Sequence, residues 1–166
     1  MKTADKKGFT LVEVMMAVFV TSLVLAGAFS VYIAGQGSWH VTTLELDTSI
    51  EASQALQKMV YGVGNQYGLR VAEKDSVNVA SSNGGWFISY RVPDGITNRF
   101  EYDSLSGIIR HSSHPQSGQW LTIARGVTSS SIARQGPGIN VSISYAEERG
   151  QFAASNTMRT FVAFRN

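Results

Sequence analysis

A chain of 166 residues, 43% hydrophobic and only 16% charged, leaves room for one modest soluble domain once its apolar N-terminal stretch is set aside. That balance fits a short-stranded folded domain rather than a disordered tail. The net charge of +2 sits in the first eight residues, where Lys2, Lys6 and Lys7 outweigh Asp5, while the remainder is neutral overall. Nucleic-acid binding thereby loses its main support. Cysteine is absent, so there is neither a disulfide framework nor a thiolate metal site.

The first predicted element is a helix. From Val14 to Ala34 no residue is charged, and only Thr21, Ser22, Gly27 and Ser30 soften the apolar run. A helix over 9–34 extends roughly 39 Å, enough to cross a hydrocarbon layer of about 30 Å, and the preceding lysines place the N-terminus on the cytoplasmic side. Glu13 stands at the head of this stretch. A carboxylate in hydrocarbon costs about 2.5–3.5 kcal/mol on insertion scales, so something must compensate it. A secretory signal peptide with Ala26-Gly27-Ala28 as its cleavage site leaves Glu13 unexplained, and the apolar character continues past it through Phe29, Val31, Tyr32 and Ile33. A plain single-pass anchor leaves the same carboxylate unexplained.

Lys7-Gly8-Phe9-Thr10-Leu11-Val12-Glu13 closely resembles the processing site of type IV prepilins and type II secretion pseudopilins. The resemblance implies a leader over residues 1–8, cleavage between Gly8 and Phe9, and N-methylation of Phe9 by a membrane prepilin peptidase/methyltransferase. Glycine suits the cut because a bare backbone admits a protease closely. The resemblance also implies a partner for the carboxylate: the new amine on Phe9 of one subunit pairs with Glu13 of its neighbour. Such a pair gains from a low-dielectric setting when both members are present, and makes Glu13 a register device for assembly.

The helical pattern continues past Ala34 through a soft spot at Gly35-Gln36-Gly37, each glycine costing roughly 1 kcal/mol of propensity. Ala52, Leu56, Met59, Val60 and Val63 then form an amphipathic stripe expected to be core, and Gly62, Gly64 and Gly68 end the helix near Tyr61. Residues 35–68 are therefore an amphipathic extension of the apolar 9–34 helix, for about 80 Å in all. A protruding stem with a head packed on its upper part is the layout the resemblance implies.

From about Val77 the pattern turns to short strands. Trp86–Val92 runs into the turn Pro93-Asp94-Gly95, and 98–103 and 107–111 flank Ser104-Leu105-Ser106 as a hairpin. Further candidates are 120–124, 127–132, 139–145 and 158–164. Val141, Ile143 and Tyr145 alternate with Ser142 and Ser144 as a half-buried strand, with loops at 135–138 and 147–150. The fold class is α+β: a long hydrophobic helix with an antiparallel β-sheet head, residues 69–166, packed on its C-terminal half. The paired hairpins, then Thr122-Ile123-Ala124-Arg125-Gly126-Val127 and a final strand ending Arg165-Asn166, look like minor pilins of the J/W kind, low-copy subunits thought to cap or prime a filament.

The head offers no enzymatic pattern. His111 and His114 flank Ser112-Ser113 as a surface pair without adjoining ligands for a metal. No serine lies in a nucleophile elbow, no phosphate-cradling loop carries a lysine, and Asp94, Glu101 and Asp103 lack the spacing of a calcium loop. Trp39 is placed as an interfacial anchor, with Trp86 and Trp120 as core residues opening strands.

The expectation is a structural, non-catalytic pilin or pseudopilin without cofactor or metal. It lies in the cytoplasmic membrane with its head in the periplasm or outside. Its partners are other pilin subunits through the N-terminal helix, the prepilin peptidase and the membrane, with no nucleic acid. Ala17, Ala26, Gly27 and Ala28 provide small faces for helix contact. Two alternatives remain: a pilus-tip binding module for adhesion or DNA uptake, which a contiguous basic stripe over Arg70, Arg91, Arg99, Arg110, Arg125 and Arg134 would support, and a soluble protein released by signal peptidase after Ala28.

Overall fold

The computed structural model describes residues 9–82 and 84–165. One helix, α1, runs unbroken over Leu11–Tyr61 for 51 residues, so the glycines at 35 and 37 neither break nor end it. The chain divides into two compact units, Met1–His40 and Val41–Asn166.

In the first unit every described side chain from Phe9 to Gln36 is exposed, among them Phe19, Leu23, Leu25, Phe29 and Ile33. The helix here is apolar on all sides, long and apolar enough to cross a membrane, and its surface calls for lipid or other helices rather than water. Its hydroxyls are satisfied internally: Thr21 donates to the Ala17 carbonyl at 2.7 Å, Ser22 to Val18 at 2.8 Å and Ser30 to Ala26 at 3.0 Å. In hydrocarbon an unpaired hydroxyl carries a desolvation penalty, and back-bonding to the preceding turn removes it. Ala26-Gly27-Ala28 lies inside this uninterrupted helix.

The second unit is built on the rest of α1. Leu44, Thr48, Ala52, Ala55, Leu56 and Met59 are buried at spacings of three and four, the face a helix lays on a sheet. Thr48 is tolerated there because its hydroxyl bonds to the Leu44 carbonyl at 3.0 Å. At Tyr61 the helix stops, since Gly62 takes φ +91°. The helix thus ends where the glycines predicted, near Tyr61, and β1 (Gly62–Val63) and β2 (Gln66–Tyr67) form a small antiparallel ribbon.

Two antiparallel sheets complete the unit. A five-stranded sheet has the order β3-β4-β5-β6-β7, from Asn78–Ser82, Gly85–Arg91, Thr97–Asp103, Ile108–Ser112 and Leu121–Ala124. A three-stranded sheet has the order β10-β9-β8, from Phe152–Ala163, Gly138–Arg149 and Val127–Gln135. Trp86, Ile88, Tyr90, Phe100, Tyr102 and Ile109 of the first sheet share one core with Ile139, Val141, Ile143 and Tyr145 of the second and with the helix stripe. Trp86 Nε1 donates to Ser130 Oγ across the sheets at 3.2 Å. The α+β class stands, and the predicted hairpin around Ser104-Leu105-Ser106 and the turn after Val92 stand with it.

Four expectations are corrected. Glu147, Glu148 and Arg149 are not a loop: β9 carries them, paired to Ala154, Ala153 and Phe152, so the final hairpin turns two residues later, at Gly150. The last strand begins at Phe152 rather than near Met158 because continuous pairing with β9 overrides the weak strand preference of Ala, Ser and Asn. Trp120 precedes β7 half-buried, with the Arg110 guanidinium 4.7 Å over its ring. His111 is not a surface residue: at 1% exposure it lies in the core, because β6 alternates and Ile109 and His111 share its inward face.

Candidate assembly and processing site

The N-terminal end of α1 is organised by two side chains. Thr10 precedes the first helical residue and Glu13 lies in the first turn. The Thr10 backbone N–H donates to Glu13 Oε2 at 2.9 Å, the Thr10 hydroxyl donates to the same oxygen at 3.1 Å, and Glu13 N–H donates to Thr10 Oγ1 at 3.2 Å. This is a reciprocal capping box, which satisfies backbone donors that the first turn leaves without intrahelical partners. The carboxylate also stands at the positive end of the helix dipole. Part of the compensation demanded by a charge at this depth is therefore intramolecular. Thr10 enters the site only with the structure, although Thr-x-x-Glu ahead of an apolar run carries the capping signature in sequence.

Both Thr10 bonds converge on Oε2, and the capping box makes no use of Oε1. Phe9 is 87% exposed. Phe9, Glu13, Ala17 and Thr21 follow at intervals of four and line one shallow groove with Val14, Val18 and Ser22, so the small residues Ala17 and Thr21 continue the face on which the carboxylate sits. Gly8 and the residues before it, where the leader was expected, lie outside the described residues.

In the second unit four of the six arginines that would form a basic stripe are engaged internally, while Arg91 and Arg125 are exposed. Arg99 and Arg110 share Glu101 at 3.6 and 3.4 Å, and Arg99 lies 3.9 Å over the Phe87 ring. Arg134 donates to the Val77 and Lys74 carbonyls, and Arg70 lies over Tyr61. His111 packs tilted against Phe100, with 4.4 Å between ring centroids and 49° between planes, and its two nitrogens face Tyr90 Oη at 3.3 Å and Gln66 Oε1 at 2.5 Å. Burial pulls its pKa down to about 4, so it is neutral at pH 7 and ties the ribbon after α1 to the sheet. His114 is exposed on the following turn, so the two histidines do not form a pair. Among the described residues no group of three or more His, Asp or Glu is placed to hold a metal.

Residues 3–29 match the family model described as the prokaryotic N-terminal methylation motif. The match covers Lys6 and Lys7, the Gly8–Phe9 bond, Glu13 and most of the apolar run, and is consistent with a type IV prepilin or pseudopilin. No curated protein and no solved structure matches the chain.

Proposed function

We propose that this chain is a non-catalytic structural subunit, a minor pilin or pseudopilin. A prepilin peptidase cuts it between Gly8 and Phe9, and its N-terminal helix assembles it into a type IV pilus or type II secretion pseudopilus. The observation that carries the proposal is the methylation motif over 3–29, set directly on a helix whose surface is apolar all round. A membrane holds such a helix before assembly, and neighbouring helices hold it afterwards. The paired-hairpin head supports a minor subunit of the J/W kind.

Cleavage creates an ammonium on Phe9, one residue before the capping threonine. In an assembled bundle that ammonium from one subunit meets Glu13 of the next, at the oxygen the capping box leaves open. A pair in low dielectric favours subunits already stepped correctly, because one member alone in that environment is strongly disfavoured. The soluble alternative would require a peptidase to open α1 at Ala28, inside a continuous helix.

The deciding measurement is the intact mass and N-terminal sequence of the protein recovered from membranes. A chain beginning at Phe9 with one added methyl group is expected. A chain beginning at Phe29 would overturn the proposal.

A further inference from the structure

β9 changes character where it leaves the hydrophobic core. Val141, Ile143 and Tyr145 alternate inward, and the same face of the strand continues with Glu147 and Arg149. Opposite them α1 carries Asp47, Glu51 and Gln54 at intervals of four and three, which puts all three on one helix face. A groove of about 440 Å³ lies between α1 and β9, lined by Tyr145, Glu147 and Arg149 on one side and by Asp47, Glu51 and Gln54 on the other. One part of it is occupied by the chain itself. Arg149 sets Nε and Nη2 on Glu147 Oε1 at 2.8 and 2.7 Å, and Nη2 lies 3.8 Å from Asp47 Oδ2. An arginine is therefore already seated on one carboxylate of this groove by charge-assisted contacts.

The other part holds acceptors without a cation. Among the described residues the side chains of Glu51, Gln54 and Tyr145 make no hydrogen bond and Glu51 has no ion-pair partner. Tyr145 is the informative member. Its residue is only 4% exposed, yet the phenol ends on the groove, within reach of the Glu51 charge. A buried tyrosine hydroxyl ordinarily finds a partner. Burial first, and the Glu51 carboxylate second, push this phenol up to about 12, so at neutral pH it is an uncharged group whose oxygen can accept. Asp47, Glu51 and Glu147 face the single Arg149, a net charge of −2 along the groove. Among the described residues no three carboxylates converge as metal ligands would. Acceptors spread over two walls suit a wider, planar cation, and Ile50 and Ala146 offer apolar surface to an aliphatic stem.

We propose that this part of the groove receives an arginine side chain of a partner protein, its guanidinium between Glu51, Gln54 and Tyr145 and its stem along Ile50. Glu51 supplies the charge, while the Gln54 amide oxygen and the Tyr145 hydroxyl oxygen accept two further N–H groups. The incoming arginine does on the α1 wall what Arg149 does on Glu147. A guanidinium uses such a set because its donors fan out in one plane, whereas an ammonium is a compact, strongly hydrated point charge. Charge complementarity selects a cation, and the spread of the acceptors selects arginine over a metal ion or a polyamine.

The probe is a blocked pentapeptide with one central arginine, added to the full-length protein in detergent at fixed ionic strength. Its citrulline counterpart, calcium ions and spermidine are added to parallel samples. Side-chain carboxyl and tyrosine ring resonances report the groove, and Glu51→Gln and Tyr145→Phe assign the two signals. The arginine peptide is expected to shift both, reaching half-saturation at a concentration at least about threefold below that of the citrulline peptide. Glu51→Gln is expected to weaken it by about threefold or more, the scale of an exposed ion pair, and adding Tyr145→Phe to weaken it further. Circular dichroism checks that both variants fold, and the citrulline comparison is made on the unaltered chain. No shift with arginine, an equal response to citrulline, binding indifferent to Glu51→Gln, or tighter binding of calcium or spermidine overturns the proposal. The measurement needs no filament, so its outcome is separate from the N-terminus that decides processing at Phe9.

Discussion

Glu13 Oε2 accepts two hydrogen bonds from Thr10, one from the backbone at 2.9 Å and one from the hydroxyl at 3.1 Å, while Thr10 Oγ1 accepts from Glu13 N–H. The carboxylate is already engaged with its own helix end before any partner subunit arrives. Thr10→Val removes the hydroxyl and keeps the backbone bond, and losing an N-cap side chain typically costs about 1 kcal/mol. First-turn amides of the detergent-solubilised protein should then exchange about fivefold faster, the ratio such an energy implies. Unchanged exchange at Glu13 N–H would show that the hydroxyl contributes nothing to the cap.

Capping and charge can be separated at the same residue. Glutamine serves a capping box as glutamate does, so Glu13→Gln keeps an acceptor for Thr10 and loses only the negative charge. We expect first-turn exchange and membrane insertion near wild type, with recovery of assembled filament sharply reduced. If Glu13→Gln assembles normally while Glu13→Ala does not, capping rather than ion pairing is what assembly needs.

His111 gives the head a defined acid sensitivity. Its folded pKa of about 4 lies below the ordinary 6.5 because burial disfavours the charged ring, so the unfolded chain binds the proton first as pH falls. The stability linked to this group is whole above about pH 6.5, declines between 6.5 and 4, and levels off below. The slope within the window is at most about 1.4 kcal/mol per pH unit. The groups around the ring, Gln66, Tyr90 and Phe100, carry no charge at these pH values. His111→Gln, with no proton to bind, should lower stability at pH 7.5 yet flatten the melting-temperature profile between pH 6.5 and 4. An unflattened profile would place the acid sensitivity elsewhere.

His111 also marks where sequence stops being sufficient. The apolar run, the Ala52–Val63 stripe and the alternation of Val141, Ile143 and Tyr145 were legible because burial repeats with the period of the backbone. A histidine beside two serines carries no such label. Its burial follows from the parity of β6, set by the pairing of Tyr102 with Ile109 and of Phe100 with His111, a non-local fact. The start of β10 was hidden likewise, since Ala153 to Asn156 become strand only by pairing with Ala146–Glu148 and Tyr145. At the N-terminus the reverse held: Gly8, Phe9 and Glu13 stood out by chemistry, and Thr10 went unmarked despite its capping spacing.

Gly62 ends α1 for two distinct reasons that a pair of variants can resolve. It takes φ +91°, and a Cβ there would run into the Gln66 carbonyl and come within 2.8 Å of Gly68 N. Backbone packs on backbone where the helix turns into the β1–β2 ribbon, so there is no flexible side chain to yield. Gly64 shares the conformational demand at φ +60° but has open space around it. Gly64→Ala should therefore cost only the left-handed penalty, about 1–2 kcal/mol. Gly62→Ala adds a rigid clash and should cost on the order of 3 kcal/mol or more, loosening Gln66 from His111 as the ribbon shifts. Thermal unfolding of the full chain in detergent, followed by near-ultraviolet circular dichroism, gives both values on one scale. Equal losses from the two alanines would mean that helix termination rests on conformation alone, and that the close approach of Gln66 yields without cost.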